Sequence, residues 1–180
     1  MAWTQTLGVA LLIGVGLSLS AGCGHLIYPS GPYSGRVVDA ETGQPIAGAA
    51  VIATWTREIP VAPHMPEQDW DVYETLSDVN GEFTIPHRTH FTFFGWIEDP
   101  MVVVYSPAYA PFRSADIHPE TPVTVTLKRL TDRAERVLNA GRPIGTLTLP
   151  AGKIPNLTRL IDEERRQLGL EPLKPSVSAP

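Results

Sequence analysis

"GRVVDAETGQPIAGAAV", residues 35–51, decides the fold. Its apolar ends, Val37-Val38 and Ala49-Ala50-Val51, are β-prone runs. "ETGQPIAG" between them is turn chemistry, since Gly43 tolerates a positive φ and Pro45 fixes its own. The second run continues through "IATWT", where Ile52 and Trp55 are apolar, so the stretch predicts strand, turn, strand. The small residues in Ile46-Ala47-Gly48-Ala49 predict a close approach of the chain just before the second strand.

The pattern repeats outward. "WDVYETLS" (70–77) alternates Trp70, Val72 and either Tyr73 or Leu76 with polar residues, as a half-buried strand does. "DVNGEFTIP" (78–86) holds an Asn80-Gly81 pair suited to a tight hairpin, and beyond it Phe83 and Ile85 share a face. "MVVVYS" (101–106) is a continuous apolar run of strand length, and "TPVTVTLK" (121–128) turns Val123, Val125 and Leu127 inward against Thr124 and Thr126. Short strands at this spacing, with no helical period between residues 35 and 128, predict a mainly β fold, an antiparallel β-sandwich.

After residue 128 the period changes. "DRAERVLNAG" (132–141) predicts a short helix with Asp132 as N-cap, Glu135 three residues on and Gly141 as its stop. "GTLTLPAG" (145–152) returns to strand-like alternation. "PNLTRLIDEERRQLG" (155–169) puts Leu157, Leu160, Ile161 and Leu168 on one helix face, with Gly169 past the end. The 180 residues thus hold one domain, 35–128, a partly helical extension, 129–170, and a frayed tail, 171–180.

These strings, together with "VVVYSPAYAPF" (102–112) and in this order, resemble the carboxypeptidase regulatory-like domain over residues 35–128. The resemblance implies a transthyretin-like Greek-key sandwich in which Gly43, Pro45 and residues 46–49 build the fold and perform no chemistry. Two segments depart from it. "REIPVAPHMPEQD" (57–69) lengthens one loop, and "HRTHFTFFGWIEDP" (87–100) inserts an aromatic segment where a shorter connection would do. Long loops in a compact domain are functional or disordered.

The N-terminal residues concern address. Residues 7–19, "LGVALLIGVGLSL", have the length of a signal-peptide h-region and fall short of the ~20 residues of a spanning helix. "LSLSAGC" (17–23) resembles the lipobox of bacterial lipoproteins, with Ser20 where Leu is commonest and no Lys or Arg ahead of the cysteine. That resemblance implies a signal peptide over 1–22, acyl chains such as palmitate on Cys23, and a Gly-, Pro- and Ser-containing tether over 23–34. Gly24, where Asp would retain the protein in the inner membrane, implies the outer membrane facing the periplasm. An ordinary secretory signal or anchor is the other reading. Cys23 is the sole cysteine, so the domain must be held by its core rather than by disulfides.

Catalysis has little material. His87 and His90, three residues apart, would bind zinc with Glu98 or Asp99 as a third ligand, but they do not match H-E-x-x-H and fall in a predicted loop. Asp78-x-Asn80-Gly81 occurs in calcium loops, yet setting Gly81 at the sixth position puts Leu76 first and His87 twelfth, where carboxylates are required. No G-x-S-x-G elbow is present. Transthyretin-like hydrolases of hydroxyisourate close on Tyr-Arg-Gly-Ser, whereas these residues end "LKPSVSAP". The expectation is a protein that is not an enzyme and takes no cofactor or metal.

Binding has more. Phe91, Phe93, Phe94 and Trp96 crowd one segment beside Glu98 and Asp99, where they would stack on a sugar ring or anchor a partner protein. The structural alternative is a lid over the sandwich end, or one more strand with Phe91, Phe93 and Gly95 on a face. "IPVAPHMP" (59–66) is either a polyproline-like ligand or a stiff connector.

Charge divides with the pattern. Residues 24–127 carry 4 basic and 13 acidic side chains, net −9, and residues 128–180 carry 10 and 6, net +4. The extension is expected to dock on its own sandwich through the apolar helix face, with an acidic partner or a lipid surface as alternatives. A negative, exported chain argues against nucleic acid. The sequence thus predicts a lipid-anchored envelope protein acting as a non-enzymatic binding or assembly module. Its expected partners are the membrane through Cys23 and an envelope protein. The first alternative is a carbohydrate or peptidoglycan bound through residues 91–96, and the second is a metal-dependent hydrolase.

Overall fold

A computed structural model describes residues 26–60, 67–141 and 151–173. Along them run strands β1 (Ile27–Ser30), β2 (Tyr33–Asp39), β3 (Ala50–Glu58), β4 (Glu67–Leu76), β5 (Glu82–Ile85), β6 (Arg88–Phe91), β7 (Trp96–Ile97), β8 (Met101–Tyr105), β9 (Phe112–Ser114) and β10 (Val123–Leu127). Two helices follow, α1 (Arg133–Gly141) and α2 (Pro155–Gln167). One sheet has the order β10-β2-β5 and a second β4-β3-β8-β9, with β7 also on β3, while β1 and β6 form a separate ribbon. The two larger sheets face each other as a β-sandwich with a helical C-terminal part.

Alternation along the strands fills the space between the sheets. Val37, Phe83, Ile85, Val125 and Leu127 from one sheet meet Val51, Ala53, Trp55, Val102 and Val104 from the other. Period two then sends the intervening residues of β3 and β8, Ala50, Ile52, Val103 and Tyr105, to the opposite face of their sheet. There Leu157, Leu160 and Ile161 of α2 cover them, which is why "MVVVY" is apolar at every position rather than at every second one. The docking of the extension on its own sandwich is as expected. Burying each such side chain contributes roughly 1.5–3 kcal/mol.

The same face of β4 supplies the start of α2. Val72 and Leu76 pack toward the helix, and Glu74 between them accepts the N–H groups of Asn156 (2.9 Å) and Leu157 (2.7 Å). Ile154, at the N-cap, makes no side-chain capping bond, so a carboxylate from the sheet satisfies the first turn and complements its positive end. At the other end Leu170 N–H reaches Arg165 O at 2.8 Å and Gly169 N–H reaches Arg166 O at 3.1 Å, a Schellman closure. α1 begins as predicted, with Asp132 Oδ1 accepting Glu135 N–H at 2.9 Å. It is tied to α2 by Arg136, which donates twice to the buried carboxylate of Glu164, both at 2.8 Å.

Several expectations need correction. The pairing of β10 with β2 is parallel, Val123 opposite Gly35 through to Leu127 opposite Asp39, while the other pairings are antiparallel. Strands so far apart in sequence need no tight hairpin to meet. The Asn80-Gly81 turn joins no hairpin pair: β4 lies in one sheet and β5 in the other, so the turn carries the chain between sheets. Gly48 is not there for close packing. A Cβ on it would meet open space, and its φ of +71° is what calls for glycine. The tether is shorter than 23–34, because Ile27–Ser30 is strand and Tyr33 is fully buried. Residues 1–25, which include the expected signal peptide, residues 61–66, most of "GTLTLPAG" and residues 174–180 lie outside the described residues.

Candidate functional site

The β1–β6 ribbon lies at one pole of the sandwich. Register runs Ile27 opposite Phe91, Tyr28 opposite His90, Pro29 opposite Thr89 and Ser30 opposite Arg88. Alternation therefore turns Ser30 and His90 inward, where both are buried, and Ile27 and Phe91 outward. At the opposite pole stand Ala50, paired with Leu76, and the exposed turn at Val79.

Inside, the ribbon is fastened to the core by polar contacts. Trp55, fully buried on β3, donates its indole N–H to Ser30 Oγ at 2.8 Å, and Ser30 Oγ is also 2.8 Å from Tyr33 Oη. The His90 ring lies 5.0 Å from that of Trp55, tilted by 46°. Tyr28 donates to Gly95 O at 3.3 Å and Thr92 N–H to Leu26 O at 3.1 Å. Gly95 has a φ of +85°, and a Cβ there would collide with Glu58 O, so glycine lets the aromatic segment turn against the end of β3. These contacts hold the outer face on a rigid base.

Outside, the ribbon carries Ile27, Pro29 and Phe91 together with the exposed Thr89. Of the seven large hydrophobic side chains exposed among the described residues, five belong to this pole: Leu26 (38% exposed), Ile27 (59%), Phe91 (46%), Phe93 (82%) and Phe94 (57%). Phe91 and Phe93 contact edge to face, with centroids 4.6 Å apart. Full burial of one such side chain is worth roughly 1.5–3 kcal/mol, so leaving the cluster in water forgoes that stabilisation. Trp96 behaves differently, being half-buried and donating its indole N–H to Glu98.

The aromatic segment is therefore neither a lid nor one continuous strand. β6 ends at Phe91, Thr92 turns the chain by donating from Oγ1 to Phe94 O at 2.8 Å, and β7 resumes at Trp96. Phe93 and Phe94 stand in the turn between them. The sequence expectation covers Phe91, Phe93, Phe94 and Trp96 but misses Leu26 and Ile27, which it places in the tether. Their signal was the apolar pair that follows His25, just past the small residues around Cys23.

Beneath the ribbon sits a polar group, Asp71, Arg88 and His90. Arg88 Nη1 is 3.2 Å from Asp71 Oδ2, and His90 Nδ1 is 3.9 Å from the same oxygen. Burial pushes the His90 imidazole below its ordinary pKa, Asp71 opposes this and Arg88 adds to it. His90 Nε2 and Arg88 Nε are buried without a hydrogen-bond partner. The Ser30 hydroxyl is committed to Trp55 and Tyr33. The arrangement holds a ribbon in place.

The residues considered for zinc are not brought together. His87 is exposed with Nδ1 3.0 Å from Gly31 O, His90 is buried, and Glu98 is engaged by Trp96. Among the described residues no three His, Cys, Asp or Glu side chains group as metal ligands. Asp78 instead accepts the N–H groups of Asn80 and Glu82, both at 2.8 Å, as a turn residue does. Cys23 lies outside the described residues, among which no helix is long and apolar enough to cross a membrane. No family model, curated protein or solved structure matches this chain.

Proposed function

We propose that this chain is an exported, lipid-anchored protein of the cell envelope that binds or assembles and does not catalyse. In this reading the carboxypeptidase regulatory-like sandwich is the rigid mount for its aromatic pole. The observation that carries it is the gathering of Leu26, Ile27, Phe91, Phe93 and Phe94 at the pole where the chain enters from Cys23. The lipobox-like "LSLSAGC" supports the anchor and Gly24 supports the outer membrane. A photoreactive side chain at position 94 tests it in intact cells. A recurrent adduct to an envelope component is expected, and adducts to cytoplasmic proteins alone would contradict it.

A second reading, glycan binding, draws on Trp96 beside Glu98. The rings of Phe91 and Phe93 stand 83° apart, which gives no flat platform for a sugar, and the Trp96 indole N–H is already engaged. A glycan pull-down lost on Trp96→Ala would favour this reading over the first.

A further inference from the structure

We infer that the aromatic pole is a membrane-contacting tip: Ile27, Phe91, Phe93 and Phe94 enter the interfacial layer of the bilayer that carries the anchor and set the orientation of the sandwich on it. This rests on the reading of Cys23 as the acylated residue. Leu26 follows Cys23 by three residues. A chain spans at most ~3.3–3.6 Å per residue, so Leu26 stands within about 11 Å of the lipid-bearing cysteine. Hydrogen bonding and register then place Phe91 and Thr92 beside Ile27 and Leu26. An anchor at Cys23 therefore brings this pole to the headgroups, and the opposite pole, at Val79, faces away.

The chemistry of the tip fits lipid better than protein. Its exposed side chains carry no polar atoms, and interfacial segments bury such residues about 5–10 Å into the headgroup and acyl boundary. Behind them Tyr28 and Trp96 are partly exposed, with a polar atom on an apolar ring, the type that settles at headgroup level. Four side chains are few against the roughly 20–30 residues a side of a standard protein interface. The tip is flanked by charges of both signs, Glu58, Glu98 and Asp99 with Arg57 and Arg88, so its attraction is apolar rather than electrostatic and needs no anionic lipid.

The test uses the full acylated protein, extracted from membranes and reconstituted in vesicles of phosphatidylethanolamine and phosphatidylglycerol. With Cys23 blocked by its lipid, a nitroxide at Phe93→Cys, or separately at Phe94→Cys, is the single label, and Val79→Cys is the distal control. Spin-label collision rates should favour oxygen over a water-soluble nickel chelate at 93 and 94, and the reverse at 79, with no change on adding salt. Labels at 93 and 94 that read as aqueous as 79, on protein held to vesicles by its acyl chains, would overturn the tip and leave the anchor standing. Labels aqueous in pure lipid but shielded in native envelope vesicles would put a protein at the pole and overturn it as well. An unmodified Cys23 in the purified protein would overturn both readings.

Discussion

Asp39 and His90 set how the fold responds to acid. Asp39 accepts the N–H groups of Thr42 and Glu41, each at 2.9 Å, and the Tyr109 hydroxyl at 2.9 Å, and these bonds hold its carboxyl at about 2 rather than the ordinary 3.8. The folded state binds that proton less readily than the unfolded one, so the contribution is whole above pH 3.8 and is lost as pH falls toward about 2. Asp39→Asn is expected to flatten that part of the stability curve in urea titrations. His90 shifts for a different cause, burial first, with Arg88 pushing the same way and Asp71 the other. Its unfolded imidazole takes a proton near 6.5 and the folded one only below that, so stability is whole above 6.5 and declines as pH falls below it. Thermal melts between about pH 8 and about pH 5 should show this decline, and His90→Phe should remove it. A decline unchanged in His90→Phe would place the titration elsewhere.

Helix α2 depends on partners distant in sequence. Removing the sheet carboxylate by Glu74→Ala takes away two N–H acceptors at its first turn and should cost about 1–2 kcal/mol in chemical denaturation, the range of a lost cap. Arg136→Met strands Glu164, which is only 2% exposed, and should cost about 3 kcal/mol, most of it recovered when Glu164→Leu is added. The helix itself was legible from Leu157, Leu160 and Ile161 at helical spacing and from Gly169, because those signals are local. Glu74 and Glu164 were not, since in sequence each is one more charged residue. What gives them a role is a partner across the sheet or on the other helix. The Asn80-Gly81 turn shows the same limit: its chemistry named a turn, but which sheet the next strand joins depends on the strands already placed.

In the whole molecule the larger sheet is covered on both faces, and the extension acts as a third layer. Leu160→Asp should expose Ile52, Val103 and Tyr105, and is expected to raise dye binding and speed proteolysis after residue 141 while β-sheet circular dichroism persists. The sandwich was legible because alternation and turns repeat along the chain. The aromatic segment was legible in composition alone, since whether phenylalanines cover a core or face outward depends on what stands behind them. Here Trp55, Tyr33 and Ser30 already fill the space.

The most direct test of an anchored module with an apolar pole at its membrane end is the mass of the N-terminal peptide from membrane-extracted protein. The account predicts a peptide beginning at Cys23 and carrying acyl chains. A peptide that retains Met1, or one with an unmodified Cys23 thiol, would contradict it.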